Sequence, residues 1–105
     1  MVNVLLVCSG GMSTSILVKR MEKAAEDRGV EAKIWSEGTG VSDDIVKTAD
    51  VVLLAPQIRF LLSEMKKKLE GKIPVELIDM RVYGTMNGEK ALDFALEVME
   101  KFDSK

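Results

Sequence analysis

The fold is decided by "VNVLLVCSGGMSTSILV", residues 2–18. Val2 to Val7 form a short apolar run rich in Val and Leu, the pattern of a strand buried on both faces. The sole cysteine of the chain, Cys8, comes next, and Gly10 and Gly11 stand between it and a cluster of hydroxyls. From Ser13 a helix is predicted. Ile16, Leu17, Met21, Ala24 and Ala25 recur at helical spacing, and Lys19, Arg20, Glu22, Lys23 and Glu26 occupy the other side. Gly29 is placed to end it.

The same alternation continues outward. "VEAKIW", residues 30–35, reads as a second strand nearer an edge, and "SEGTGV", 36–41, as a loop. Ser42 caps a short helix with Asp43 and Asp44 in its first turn, running to about Thr48. "DVVLLA", 50–55, is the most hydrophobic run and is predicted to be a central strand ended by Pro56. Ile58, Leu61, Leu62, Met65 and Leu69 mark a third helix that stops near Gly71. "PVELID", 74–79, is the fourth strand, with Pro only at its start. "MRVYGTMNG" is read as a loop, and Asn87 as the cap of a last helix with Leu92, Ala95, Leu96, Met99 and Phe102 on its inner face.

The order βαβαβαβα implies a four-stranded, open parallel sheet with right-handed crossovers and helices on both faces. The expected strand order is 2-1-3-4. In such a sheet the working site lies beyond the carboxyl ends of the strands, where the order reverses. That point lies beside strand one, and the segment leaving strand one is "CSGGMSTS".

Composition narrows the function. At 105 residues the chain, 1–105, is read as a single domain. Hydrophobic residues make up 47% and charged residues 30%, a soluble globular balance. The net charge of −2, with both signs interspersed, argues against nucleic acid or an acidic membrane as partner. Lys66, Lys67 and Lys68 are read as the solvated face of a helix. No signal peptide and no apolar span of membrane length stands out, so a cytoplasmic location without direct membrane insertion is expected. One cysteine forms no internal disulfide and has no resolving partner for thiol redox work. The chain has no histidine, which removes Ser-His and Cys-His catalysis and most zinc sites. No metal or cofactor is expected.

The loop itself suits an oxyanion. Two glycines let successive N–H groups converge into a nest at the helix start, and Ser9, Ser13, Thr14 and Ser15 supply hydroxyls. Cys8 lies at the floor or lip of that nest, where helix-terminal dipoles favour a thiolate. A thiolate beside a phosphate-sized nest suggests in-line attack on phosphorus. Cysteine phosphatases of low molecular weight, whose topology the predicted order matches, place an arginine six residues after the nucleophile to clamp the phosphoryl oxygens. Here that residue is Thr14, and no Arg or Lys occurs between Cys8 and Val18. Without a bidentate arginine, the nest holds a phosphoryl group with little stabilisation of its transfer to water. That points to a carrier, with a phosphatase or a passive anion-binding module as the alternatives.

"CSGGMSTSILV" resembles the "CSAGMSTS" loop of the enzyme IIB components of the lactose/cellobiose (chitobiose) family of the bacterial phosphoenolpyruvate-dependent sugar phosphotransferase system. "ADVVLLAPQIRFLL", 49–62, is similar to that family's "ADVVLLGPQ" segment, and "VELIDMRVYGTMNGEKAL", 75–92, to its fourth-strand and final-loop region. Gly10 stands in place of the family's usual Ala, and Ala55 in place of a common Gly, a change that matters if φ there must be positive. The resemblance implies phosphoryl relay. A phosphohistidine on a IIA partner donates to Cys8, and phospho-Cys8 donates to a sugar, such as cellobiose, chitobiose or lactose, held by a membrane IIC partner. Ser9, Gly10, Gly11, Met12, Ser13, Thr14 and Ser15 are then the phosphate loop.

Other candidates sit on the same sheet edge. Gln57 and Arg59 follow strand three and are candidates for a secondary site or for docking. Asp79 ends strand four, and a structural or solvated role is assigned to it because a carrier needs no acid to protonate a leaving group. Tyr83 and Met86, with Met12, are expected to form an apolar docking rim. Asp43 and Asp44 read as a helix start rather than a catalytic pair. A monomer is expected.

Overall fold

A computed structural model of the protein describes residues 1–9, 12–69 and 71–103. Strand β1 (Val2–Cys8) leads to helix α1 (Met12–Asp27), strand β2 (Ala32–Gly38), helix α2 (Asp43–Val46) and strand β3 (Val51–Leu54). A 3₁₀ helix (Pro56–Leu61) then runs into α3 (Leu62–Lys68), followed by β4 (Val75–Leu77), α4 (Met80–Gly84) and α5 (Gly88–Asp103). All strand pairs are parallel and the order is β2-β1-β3-β4, as the sequence pattern predicts.

The sheet is packed on both faces. Val4 and Leu6 of β1 join Val51 and Leu53 of β3, with Leu17 and Met21 of α1 and Ala91, Leu92 and Ala95 of α5. Leu5 and Val7 join Val52 and Leu54 against Val46, Ile58 and Leu69 on the other face. Val4 to Val7 and Val51 to Leu54 are therefore apolar at every position, since neither face meets water there. A fully buried Leu such as Leu53 contributes roughly 1.5–3 kcal/mol of burial. At Cys8 the alternation lapses: it packs with Leu5 and Val7 rather than with Val4 and Leu6, at the point where the chain leaves the sheet.

Helix α1 ends as its sequence requires. Gly29, with φ of +69°, lets the Val30 N–H reach the Ala25 carbonyl at 2.8 Å and its own N–H reach Glu26 at 3.1 Å. The caps of α2 and α5 also form as read. Ser42 accepts from Ile45 N–H at 3.4 Å, and Asn87 Oδ1 from Lys90 N–H at 3.0 Å. The three lysines of α3 are exposed in its last turn, where they face the negative end of the helix dipole. Lys66 pairs with Glu76 at 3.5 Å and Lys68 with Asp43 at 3.4 Å, surface contacts of about 0–1 kcal/mol each.

Several boundaries differ from the sequence reading. β2 continues through Ser36–Gly38, because the ladder with β1 runs to Cys8↔Gly38 and overrides the loop-like composition. The third helix is kinked at Ile58 (φ −114°, ψ 27°), which splits it into a 3₁₀ and an α segment. β4 is confined to Val75–Leu77. The segment after Asp79, read as a loop, forms α4, because the Asp79 carboxylate accepts from the N–H groups of Arg81 (2.8 Å) and Val82 (3.2 Å). Ile16 is 44% exposed instead of facing the core. The buried line on α1 runs through Thr14, Leu17, Met21 and Ala24. On α5 the deepest residues are Ala91, Leu92, Ala95 and Val98, with Leu96, Met99 and Phe102 only half-buried.

Helices α1 and α5 touch through backbone. A Cβ placed on Gly88 meets the Arg20 carbonyl carbon at 2.4 Å and its Cβ at 2.6 Å, so only glycine allows this approach. Asp93 of α5 holds the guanidinium of Arg28, the residue just after α1, in a hydrogen bond that raises its pKa above the ordinary value and ties the turn after α1 to α5 at the surface. Gly88→Ala is expected to destabilise the fold by about 2–3 kcal/mol. At this size that lowers the thermal midpoint by about 10–20 °C, read by circular dichroism. An unchanged midpoint would show that the helices part at no cost.

Candidate functional site

Three strands deliver the site at one edge. β1 ends at Cys8, β3 at Leu54 before the 3₁₀ helix, and β4 at Leu77 before α4. Because β1 lies between β2 and β3 while the chain order runs β1, β2, β3, the reversal falls at the carboxyl end of β1. Cys8 is 6% exposed, and its thiol lies 3.9 Å from the Glu37 carbonyl of β2, at the range of a weak S–H donor. It is thus a floor rather than a lip.

Ser9 is exposed, as is Ser15. Gly10 and Gly11 lie outside the described residues, and so do the side chains of Met12 and Ser13. Thr14 is on the third position of α1, 1% exposed, and it is the buried polar side chain among the described residues. Its hydroxyl lies 3.0 Å from the hydroxyl of Tyr83. Tyr83 is half-buried and packs against both core clusters, so its ring straddles the end of the sheet. This pair was not legible in the sequence. The signal available was the place of Thr14 three residues before Leu17, on the buried line of α1.

The remaining candidates separate into two groups. Gln57 and Arg59 are exposed on the 3₁₀ helix at the same edge as Cys8. Ala55, which precedes Pro56, has φ of −65°, so alanine sits there without strain. Of the structural and solvated roles expected for Asp79, the structural one is seen, as the cap of α4. Met86 packs against the first cluster rather than standing out on a rim, and its backbone has φ of +53°. Its carbonyl accepts from the Arg20 guanidinium at 3.1 Å, beside the Thr85 carbonyl at 3.5 Å. Asp43 and Asp44 form the first turn of α2. Among the described residues no group of three or more His, Cys, Asp or Glu side chains is placed to hold a metal ion.

Three apolar side chains at this edge were missed as surface features. Phe60 is 74% exposed, Met80 67% and Ile16 44%. Each belongs to an element that begins at the carboxyl end of a strand: the 3₁₀ helix, α4 and α1. Phe60 was detectable, since it falls off the spacing that places Ile58, Leu61, Leu62 and Met65 on one side.

Chemically, the edge offers a buried thiol, the start of a 16-residue helix whose first N–H groups lack intrahelical acceptors, and a neutral Thr–Tyr pair where a phosphatase carries its arginine. A family model described as the lactose/cellobiose-specific IIB subunit of the PTS system matches residues 3–94. The chain is 45% identical over 100 residues to the oligo-beta-mannoside-specific EIIB component of Bacillus subtilis, covering 94% of this chain and 97% of that one. The solution structure of the cellobiose-specific phosphotransferase IIB component from Borrelia burgdorferi superposes with a TM-score of 0.78 at 44% identity, over 95% of this chain and 93% of that one. The lactose-specific EIICB component of Staphylococcus haemolyticus is 34% identical over 94% of this chain, the match filling 18% of that longer protein. With the parallel 2-1-3-4 sheet and the cysteine loop at its reversal point, these likenesses establish that the chain belongs to the lactose/cellobiose-specific IIB family of the phosphotransferase system, a phosphotransferase component whose role is phosphoryl relay.

Proposed function

We propose that Cys8 is the residue that carries the phosphoryl group, and that residues 1–105 act as one IIB domain. The observation that carries this reading is the placement of the chain's sole thiol at the end of the central strand, four residues before α1 begins. In the first step the Cys8 sulfur attacks the phosphorus of a phosphohistidine on a IIA protein. An S–P bond forms, the P–N bond breaks, and the departing imidazole takes up the proton given up by the thiol. In the second step a sugar hydroxyl oxygen attacks the same phosphorus, the S–P bond breaks, and sulfur leaves as thiolate while the hydroxyl proton goes to solvent or a base. Backbone N–H groups at the start of α1, with Ser9 and the other residues of the loop to Ser15, would hold the phosphoryl oxygens between the steps.

The acceptor is a β-linked sugar presented by a membrane IIC component, in keeping with the oligo-beta-mannoside, cellobiose and lactose names of the relatives and with the EIICB composition of the longer one. None of the described helices is long and apolar enough to cross a membrane, which suits a cytoplasmic domain that docks rather than inserts. No nucleic acid is involved, and the domain works as a monomer between its partners. Docking falls to the exposed apolar residues Ile16, Phe60 and Met80, with Gln57, Arg59 and Arg81 beside them in sequence. Tyr83 and Met86 give way to these three, since both are packed inward.

Incubation with phosphoenolpyruvate, the general phosphotransferase proteins and a cognate IIA should add one phosphoryl group to the wild type by intact mass and none to Cys8→Ser. An equal increment on both proteins would overturn the assignment of the thiol. Phe60→Asp and Met80→Asp are each expected to raise the KM for the phospho-IIA donor about tenfold, the scale of losing one central apolar contact. Circular dichroism should stay unchanged, since both side chains are exposed. Unaltered transfer kinetics in both variants would remove these residues from the docking face.

A further inference from the structure

We infer that Tyr83 is a positioning residue for phosphoryl transfer: through Thr14 it fixes the first turn of α1, whose backbone donors hold the phosphoryl group. This rests on the reading of Cys8 given above. The starting observation is the burial of a hydroxyl. Thr14 is 1% exposed on a line otherwise made of Leu17, Met21 and Ala24, where an apolar side chain would need no partner. A neutral hydrogen bond there adds little net stability over an apolar filler. What it adds is direction, because the two oxygens must stay near 3.0 Å to avoid an unsatisfied buried group.

The Tyr83 end of that bond is a fixed point. Its ring contacts both core clusters, on opposite faces of the sheet. α4, only five residues long, is held at its start by the Asp79 carboxylate and past its end by Arg20, which donates to the Thr85 and Met86 carbonyls. The Thr14 end is the third residue of α1. The N–H groups of Met12, Ser13 and Thr14 belong to the first turn, where no carbonyl within the helix accepts them. Locking Thr14 therefore sets the direction of the helix donors that lie four to six residues after the thiol. Thr14 is also six residues after Cys8, where a phosphatase places a charged clamp. Here the same position is ordered by a neutral pair, so the turn is held in place without added charge on the phosphoryl group.

Tyr83→Phe removes only the hydroxyl and keeps the ring packing, and Thr14→Val removes the other half of the bond. Rapid-quench transfer from phospho-IIA should show kcat lowered about tenfold in Tyr83→Phe, the scale of a small misplacement at a reacting centre, with the donor KM within about twofold of wild type. The phosphorus resonance of phospho-Cys8 should shift, reporting altered donors. The Tyr83→Phe/Thr14→Val double variant should be no slower than the slower single one, because the two groups act as a unit. An unchanged kcat, an effect on KM alone, or additive losses would each overturn the inference. So would an unfolded Tyr83→Phe protein, which would assign the bond to stability. A wild type that never gains a phosphoryl group would instead overturn the role of Cys8, leaving a different signature from these outcomes.

Discussion

The pairing of β1 on both edges is the constraint from which the rest follows. Its seven residues are laddered to β2 from Val2↔Ala32 to Cys8↔Gly38, and Val4 to Val7 are laddered to β3 on the other side. With apolar residues at every position from Val4 to Val7, polarity within that core run does not choose the register. A slip by one residue would exchange one buried face for another, where a half-exposed strand would be penalised at once. The register is pinned instead at the entry of the strand. The Asp50 carboxylate accepts from the Asn3 N–H at 2.7 Å, and the Asn3 carbonyl accepts from the Asp50 N–H at 2.8 Å. That reciprocal pair, at the far end of the strand, decides which residue emerges at the carboxyl edge. It is Cys8.

A second constraint holds the helices over that strand. Gly88 lets the start of α5 close on the Arg20 backbone, and the Arg20 side chain turns to the carbonyls that end α4. One residue of α1 thus serves two contacts, one through its main chain and one through its guanidinium. The consequence is that α4 cannot move without disturbing α1. Tyr83 transmits that coupling to the first turn of α1, since it lies between the Asp79 cap and the Arg20 contact. The site therefore draws its rigidity from elements that do not contain the thiol.

Much of this was legible in the sequence, for identifiable reasons. Strands β1 and β3 could be read because both faces are buried, leaving apolar runs at Val4–Val7 and Val51–Leu54. The helix ends at Gly29, Ser42 and Asn87 could be read because caps are local chemistry. What failed was non-local. Nothing in "SEG" signals a strand; it becomes one only beside the end of β1. α4 hid behind Gly84, Asn87 and Gly88, although Asp79 carried the cap signal. The site divided in the same way. Cys8 and its loop are contiguous and stand out in the sequence, whereas Thr14 and Tyr83 are 69 residues apart and meet only in the folded chain.

The neutrality of the site bears on how a relay avoids wasting its phosphoryl group. A guanidinium at residue 14 would stabilise the charge that develops on a transferring phosphoryl group whichever oxygen attacks, water or sugar. Selectivity would then depend on excluding water at all times, including when no partner is bound. A cradle of the kind proposed, built from backbone donors and ordered by a neutral bond, would bind the phosphoryl oxygens in the resting state without lowering the barrier to every nucleophile alike. The barrier would then be lowered only when a partner brings the rest of the transition-state environment. The exposed apolar residues at the edge would suit that arrangement, since a partner seated on Phe60, Met80 and Ile16, as proposed, would expel water from the thiol as it docks. On this view the missing arginine and the exposed phenylalanine are two parts of one device: the chain holds the phosphoryl group, and the partner completes the chemistry.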